Sequence, residues 1–154
     1  MRIKIIILLL IIFLTACNND GTKDTGMALL QTTHPSPAVI ERNTKENLDL
    51  VSSIEHDVEK FEELYDVAVV KGKEDILVAY KVKHLQRFHM KAIEKKINKM
   101  LEKKYPKENF IISSDYKIFL EAYELHENMK NPNFSEKKAE KKLQEIIKMK
   151  KELT

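Results

Sequence analysis

The stretch YDVAVVKGKEDILVAYKV, residues 65–82, holds two runs of aliphatic and β-branched residues on either side of Gly72. β-Branched and aromatic residues favour strands, and a glycine between two such runs is typical of a tight connection. The stretch therefore predicts a β-hairpin. We expect Gly72 to supply the left-handed backbone conformation that a tight turn requires.

Both faces of this predicted hairpin are apolar. Alternate positions put one set on the first face: Val67, Val69, Ile76, Val78 and Tyr80. The second face receives Ala68, Val70, Leu77, Ala79 and, from a later strand, Ile111. A sheet covered on one side only normally alternates apolar with polar residues. We therefore expect helices on the first face, and on the second either the helix from Tyr116, the segment from Phe134 or another protein; burial within the chain is favoured.

Helical periodicity flanks the hairpin. Asn43 and Glu46 have the spacing of a capping box. An apolar stripe at spacings of three and four follows: Val51, Ile54, Val58, Phe61 and Tyr65. A second helix stops before Pro106, which a helix interior does not tolerate, and carries Met90, Ile93, Ile97, Met100 and Leu101.

A third short strand, NFIISSD at residues 109–115, precedes two more helical segments. Ser114 or Asp115 can cap the first of these, which carries Ile118, Ala122, Leu125 and Met129. The last amphipathic segment follows Pro132 and shows Phe134, Leu143, Ile146 and Ile147. The sequence thus predicts an α+β fold, a small αββαβα sandwich with a three-stranded sheet and a C-terminal amphipathic helix.

The start of the chain, IIILLLIIFLTACNND at residues 5–20, contains the one cysteine of the protein, Cys17. Its apolar run is shorter than the roughly 20 residues that a transmembrane helix needs. With Arg2 and Lys4 before it, the run matches a secretory signal. The residues before Cys17 do not suit an ordinary Ala-x-Ala cleavage site, whereas LTAC, residues 14–17, resembles a bacterial lipobox.

In a lipobox the cysteine thiol accepts a diacylglycerol, and cleavage before the cysteine makes it the mature N-terminus. A lone cysteine cannot form an internal disulfide, so the alternative is a free or intermolecularly paired thiol. We predict lipidation at Cys17 and a location on the extracytoplasmic side of the cell membrane. The two acyl chains of a diacylglycerol match the two that stable anchoring requires.

Composition changes along the chain predict its organisation. Residues 1–16 form the signal peptide. Residues 17–42 form the lipidated N-terminus and a flexible linker, because glycines and prolines concentrate there. The α+β domain is predicted at 43–130, and a helical tail at 131–154.

No constellation of residues indicates a reaction. The chain lacks a nucleophile elbow, a glycine-rich phosphate loop and a paired CxxC. Its five histidines show no short metal-ligand spacing. We therefore predict no catalytic residue, no metal and no cofactor. Carboxylates are numerous, and folding could still bring two of them together as in glycosidases.

Charge is unevenly distributed. Residues 46–66 carry a net charge of −7 and residues 81–104 a net charge of +7. The two helices could pair their charges weakly across one sheet face. Alternatively, a basic set lies against an anionic membrane: Arg87, Lys91, Lys95 and Lys99. Nucleic acid ranks last as a partner, because an exported protein does not meet DNA.

The lipobox, the hairpin at 65–82, the basic helix in HLQRFHMKAIEKKINKMLEKKYP (84–106) and FIISSDYKIFLEAYEL (110–125) together resemble the sporulation lipoproteins of the YhcN/YlaJ type. The resemblance covers roughly residues 43–129. It implies a lipoprotein of spore membranes in an endospore-forming Gram-positive bacterium, with a role in sporulation or germination. It contributes no catalytic residue. We therefore expect a non-enzymatic binding or structural component whose partner is an unknown spore membrane protein; the alternative is an envelope enzyme acting on peptidoglycan.

Overall fold

The computed structural model describes residues 34–41 and 45–153. Within these ranges the chain forms four strands, four α-helices and one 3₁₀ helix. In chain order they are β1 (Ala38–Val39), α1 (Lys45–Glu59), β2 (Leu64–Lys71), β3 (Asp75–Val82), the 3₁₀ helix (His84–His89), α2 (Met90–Lys104), β4 (Asn109–Ser113), α3 (Tyr116–Met129) and α4 (Glu136–Glu152). The fold is α+β, as predicted. The predicted signal peptide, Cys17 and the Asn43 cap lie outside the described residues.

The sheet has four strands in the order β1-β2-β3-β4, and not the three that the sequence predicts. β2 and β3 are antiparallel, as expected for the hairpin, while β1 runs parallel to β2 and β4 runs parallel to β3. The additional strand, β1, is only two residues long and pairs Ala38 with Val70. Because two prolines lie nearby, the sequence pattern predicts a linker here, although Ala38, Val39 and Ile40 are all buried.

Both faces of the sheet are covered by the chain's own helices. α1 and α2 pack on the first face, around a core that includes Val51, Ile54, Val67, Val78, Tyr80, Ile93 and Ile97. α3 and α4 pack on the second face, around a core that includes Ile40, Ala68, Leu77, Phe119, Leu125, Leu143 and Ile146. The helices thus form two layers with the sheet between them. The prediction that the chain itself buries the second face is confirmed.

The first predicted helix is too long. α1 ends at Glu59, and the backbone N–H of Phe61 donates to the carbonyl of Val58 at 3.1 Å in the turn that follows. Tyr65 belongs to β2. The apolar spacing of three and four continues through the turn because Phe61 packs against the same core from outside the helix.

Gly72 is required for a different reason from the predicted one. No glycine among the described residues has a positive φ, so Gly72 does not supply a left-handed turn. A Cβ at this position would instead lie 2.5 Å from Cδ2 of Leu143 and 2.9 Å from Oε2 of Glu140. The hairpin turn therefore needs glycine because α4 passes directly over it.

The two C-terminal helices begin at recognisable caps. Of the two predicted caps for α3, Asp115 is the one used: its Oδ1 accepts from the backbone N–H of Lys117 at 2.8 Å and of Ile118 at 3.2 Å. Ser135 caps α4 through the backbone N–H of Lys138. α4 lies within the predicted tail, 131–154, and contributes four buried side chains to the second core: Ala139, Leu143, Ile146 and Ile147.

Candidate functional site

α2 presents lysines on the side that faces away from the sheet. Its buried residues are Ile93, Ile97 and Leu101. Lys91, Lys95 and Lys99 each precede one of these by two positions, which corresponds to about 200° around an α-helix. All three lysines are exposed, as is Arg87 in the 3₁₀ helix just before α2. We call these four residues, Arg87, Lys91, Lys95 and Lys99, the basic stripe.

Other basic residues of this region pair with the acidic segment that precedes the hairpin. Lys96 lies 3.0 Å from Oε1 of Glu63, and Lys104 contacts Oδ2 of Asp57. Lys81 and Asp66, 2.8 Å apart from Nζ to Oδ2, form a separate, buried pair between β3 and β2. The predicted pairing across one sheet face therefore exists, but it uses only part of the positive charge.

Asp57, near the end of α1, contacts residues at the end of α2 and just after it. The hydroxyl of Tyr105 donates to its Oδ2 at 2.6 Å, and Lys60 donates to its Oδ1 at 3.0 Å. Burial alone would raise the pKa of the Asp57 carboxyl, but hydrogen bonds from Lys104, Tyr105 and Lys60 hold it well below its usual range. This contact fixes the helix that carries the basic stripe.

The basic stripe has no such partners. Within residues 34–41 and 45–153, none of its four side chains makes an ion pair or a side-chain hydrogen bond. The acidic residues of α2 are Glu94 and Glu102, and Glu102 accepts from the amide of Asn98 at 2.6 Å. The structure therefore places Lys91, Lys95 and Lys99 on one exposed side of α2 and exposes Arg87 in the 3₁₀ helix before it, with all four charges unpaired within the described residues.

Two exposed apolar residues beside the basic stripe were not predicted from the sequence. Leu85 and Phe88, both in the 3₁₀ helix, are 82% and 94% exposed. The signal was present in HLQRFHM, residues 84–90, where apolar and basic residues alternate just before a helix. It was missed because the segment carries too few apolar residues to show a helical or strand period.

The 3₁₀ helix lies at the end of the sheet where the chain enters the domain. It follows β3 directly, and the last residue of β3, Val82, pairs with the first of β2, Leu64. His34, the first described residue, lies near the same end, with its Nδ1 3.9 Å from Oδ1 of Asp66. The described part of the chain therefore begins at the same end of the sheet as the 3₁₀ helix.

Glu55, on α1, is partly buried and has two other carboxylates, Glu59 and Asp66, near enough to affect its pKa. Burial, followed by the charges of Glu59 and Asp66, raises the pKa of the Glu55 carboxyl from 4.5 to about 7. Asp66 is fully buried in an ion pair with Lys81, whose Nζ lies 4.4 Å from the centre of the Phe119 ring. Asp66 is therefore a structural group of the core, and Glu55 is the carboxylate whose pKa suits acid or base chemistry near neutrality.

The described histidine, aspartate and glutamate side chains form no group of three or more that could hold a metal ion. In the same part of the chain, no helix combines the length and the apolar composition needed to cross a bilayer.

Comparisons of this chain with models of protein families, with curated proteins and with solved structures found no match.

Proposed function

We propose that this chain is a lipid-anchored, non-enzymatic binding or structural component of the spore membrane, a sporulation lipoprotein of the YhcN/YlaJ type. Its role is in sporulation, germination or outgrowth. The lipobox at Cys17 and the resemblance described above support the location. No catalytic, metal or cofactor residue is part of the proposal.

The observation that carries the proposal is the basic stripe, because its four charges are exposed and unpaired within the described part of the chain. Each basic residue near an anionic leaflet contributes about 1 kcal/mol. Four such residues alone correspond to a dissociation constant of about 1 mM. A lipid anchor holds the domain at a local concentration of about the same order. At a local concentration close to the dissociation constant, the domain lies on the membrane for about half of the time.

A domain held in this way positions its remaining surface for a partner in the same membrane. We propose that the partner is a spore membrane protein, because tethering raises the effective concentration of two membrane-bound components. The acidic side formed by α1 and the turn after it, with Glu59 and Glu62 exposed, stays accessible when α2 faces the lipid.

The test follows the tagged protein through a sporulation time course, with a Cys17→Ala variant beside it. We expect the protein to appear during sporulation, to carry metabolic lipid label and to fractionate with spore membranes. The variant should keep its signal and lose the label. A deletion strain should change the rate or efficiency of germination more than vegetative growth.

Two results would contradict the proposal. One is constant abundance in growing cells with none in spores. The other is full incorporation of lipid label by the Cys17→Ala protein, which would exclude Cys17 as the anchor.

An envelope enzyme acting on peptidoglycan is the second candidate, and Glu55 is the observation that favours it. Its pKa of about 7 is suited to a general acid. Cleavage of purified peptidoglycan by the wild-type protein, abolished in Glu55→Gln, would establish this alternative. No cleavage by either protein is expected under the main proposal.

A further inference from the structure

Leu85 and Phe88 lie on one side of the 3₁₀ helix. Residues three apart eclipse each other in a 3₁₀ helix, so the two side chains stand one above the other. Met90 follows at the start of α2 and is 36% exposed. Single exposed leucines are ordinary on protein surfaces. An adjacent leucine and phenylalanine, both more than four-fifths exposed, form a small apolar projection.

The surroundings of this projection are basic. Arg87 lies between Leu85 and Phe88 in the chain, and exposed Lys83 and Lys91 flank the 3₁₀ helix. The other large apolar side chains that are exposed in the described part of the chain stand on separate helices or their ends: Leu48, Leu120 and Leu153. Apolar tips among lysines and arginines are the composition of segments that lie in the interface of anionic membranes.

The projection also lies where an anchor can bring it to the bilayer. His34 and the 3₁₀ helix lie at the same end of the sheet, through the contacts of Asp66 and the pairing of Leu64 with Val82. The chain from Cys17 to His34 can extend at most about 60 Å, because each residue spans no more than 3.3–3.6 Å. The anchored end of the chain and the apolar projection can therefore meet the same membrane without turning the domain over.

We propose that Leu85 and Phe88 insert into an anionic bilayer at the level of the headgroups and upper acyl chains, while the basic stripe contacts the lipid phosphates. The inference rests on the proposed membrane location and adds a point of penetration to it. Glu59 and Glu62 are exposed near the same end of the sheet, so the domain tilts with α2 towards the lipid and α1 away from it. Insertion of this kind buries an apolar face about 5–10 Å into the boundary.

The protein contains no tryptophan, so a single substitution creates a unique fluorescent reporter. The full-length Phe88→Trp protein is reconstituted in vesicles of phosphatidylcholine and phosphatidylglycerol, with and without lipids brominated on the upper acyl chain. Leu48→Trp is the control, because Leu48 is half exposed near the N-terminal end of α1, away from the 3₁₀ helix. For Phe88→Trp we expect a blue-shifted spectrum and a loss of fluorescence with the brominated lipids, because a side chain inserted about 5–10 Å into the boundary lies at the depth of the bromine atoms. For Leu48→Trp we expect no loss.

Unquenched fluorescence of the Phe88→Trp protein on brominated vesicles would overturn the inference. It would do so even if the triple variant Lys91→Gln/Lys95→Gln/Lys99→Gln bound anionic vesicles more weakly than wild type, which would show that α2 docks without insertion. A blue shift in detergent that grows with protein concentration would also overturn it, because a second copy of the chain would then cover the projection. If the Phe88→Trp protein is quenched and the three lysine substitutions do not weaken vesicle binding, the insertion is supported and the electrostatic part of the proposed function is excluded.

Discussion

Glu55 lies on α1 near Glu59 and Asp66, and it keeps its proton to an unusually high pH. The pKa of its carboxyl is raised to about 7 by burial and by these two negative charges. In the unfolded chain the same carboxyl loses its proton near pH 4.5. Between these values the folded state binds more protons than the unfolded state, so this group lowers stability as pH rises from about 4.5 to 7.

We therefore predict that Glu55→Gln stabilises the protein above pH 7 and leaves it unchanged at pH 4. The gain at pH 8 should be about 1–2 kcal/mol, less than the full shift implies, because solvent screens the half-exposed carboxyl. Urea unfolding at pH 4, 6 and 8 measures it. Glu124→Gln removes an exposed carboxylate on α3 and should show no such pH dependence. Equal stability of Glu55→Gln and wild type at pH 8 would disprove the raised pKa.

At the scale of elements, the strongest patterns of the sequence predicted structure correctly. The hairpin, its two apolar faces and the four amphipathic helices follow from alternation and helical spacing, because each buried face must be apolar along its whole length. β1 could not be predicted in this way. It has two residues, too few to show a period, and its stability comes from pairing with Val70 and Lys71 far along the chain.

The burial of Ile40 gives a test of β1 as a structural element. Ile40 is 1% exposed in the second core, and its backbone N–H donates to the carbonyl of Lys71 at 2.9 Å. We predict that Ile40→Ala lowers the free energy of unfolding by about 2–4 kcal/mol, because it leaves a cavity. The control, Leu48→Ala, removes a half-exposed leucine and should cost under about 1 kcal/mol. Equal urea midpoints for the two variants would place residue 40 outside the folded unit.

The charged residues of the candidate site could be predicted from the sequence, but their ion pairs and the exposed apolar residues beside them could not. Lys91, Lys95 and Lys99 could be placed on one helix face from their spacing alone. The sequence does not predict which lysines pair with acidic residues, because Lys96 and Lys104 contact Glu63 and Asp57 only after α1 and α2 pack side by side. The exposure of Phe88 likewise depends on the 3₁₀ helix after β3, which carries no periodic signal.

At the scale of the whole molecule, the two helical layers differ in the surface charge that they expose. α1 and α2 combine opposite charges and leave the basic stripe free of partners within the described residues. α4, on the other face of the sheet, spaces its lysines among glutamates: Lys141 lies 3.8 Å from Glu145, and Lys148 lies 3.9 Å from Glu152. We infer that the domain meets a membrane with the α2 side, and that the α4 side faces away.

The most direct test of this account compares two triple variants of the fragment 32–154, which forms one compact unit. Lys91→Gln/Lys95→Gln/Lys99→Gln removes three charges from α2, and Lys137→Gln/Lys138→Gln/Lys141→Gln removes three exposed charges from α4. Binding to phosphatidylglycerol vesicles is measured by co-sedimentation at low salt and at 1 M salt. We predict that wild type and the α4 variant bind at low salt, whereas the α2 variant binds roughly tenfold to a hundredfold more weakly. In 1 M salt, where the Debye length is about 3 Å, the difference should vanish. Equal binding by the two variants at low salt would contradict the account.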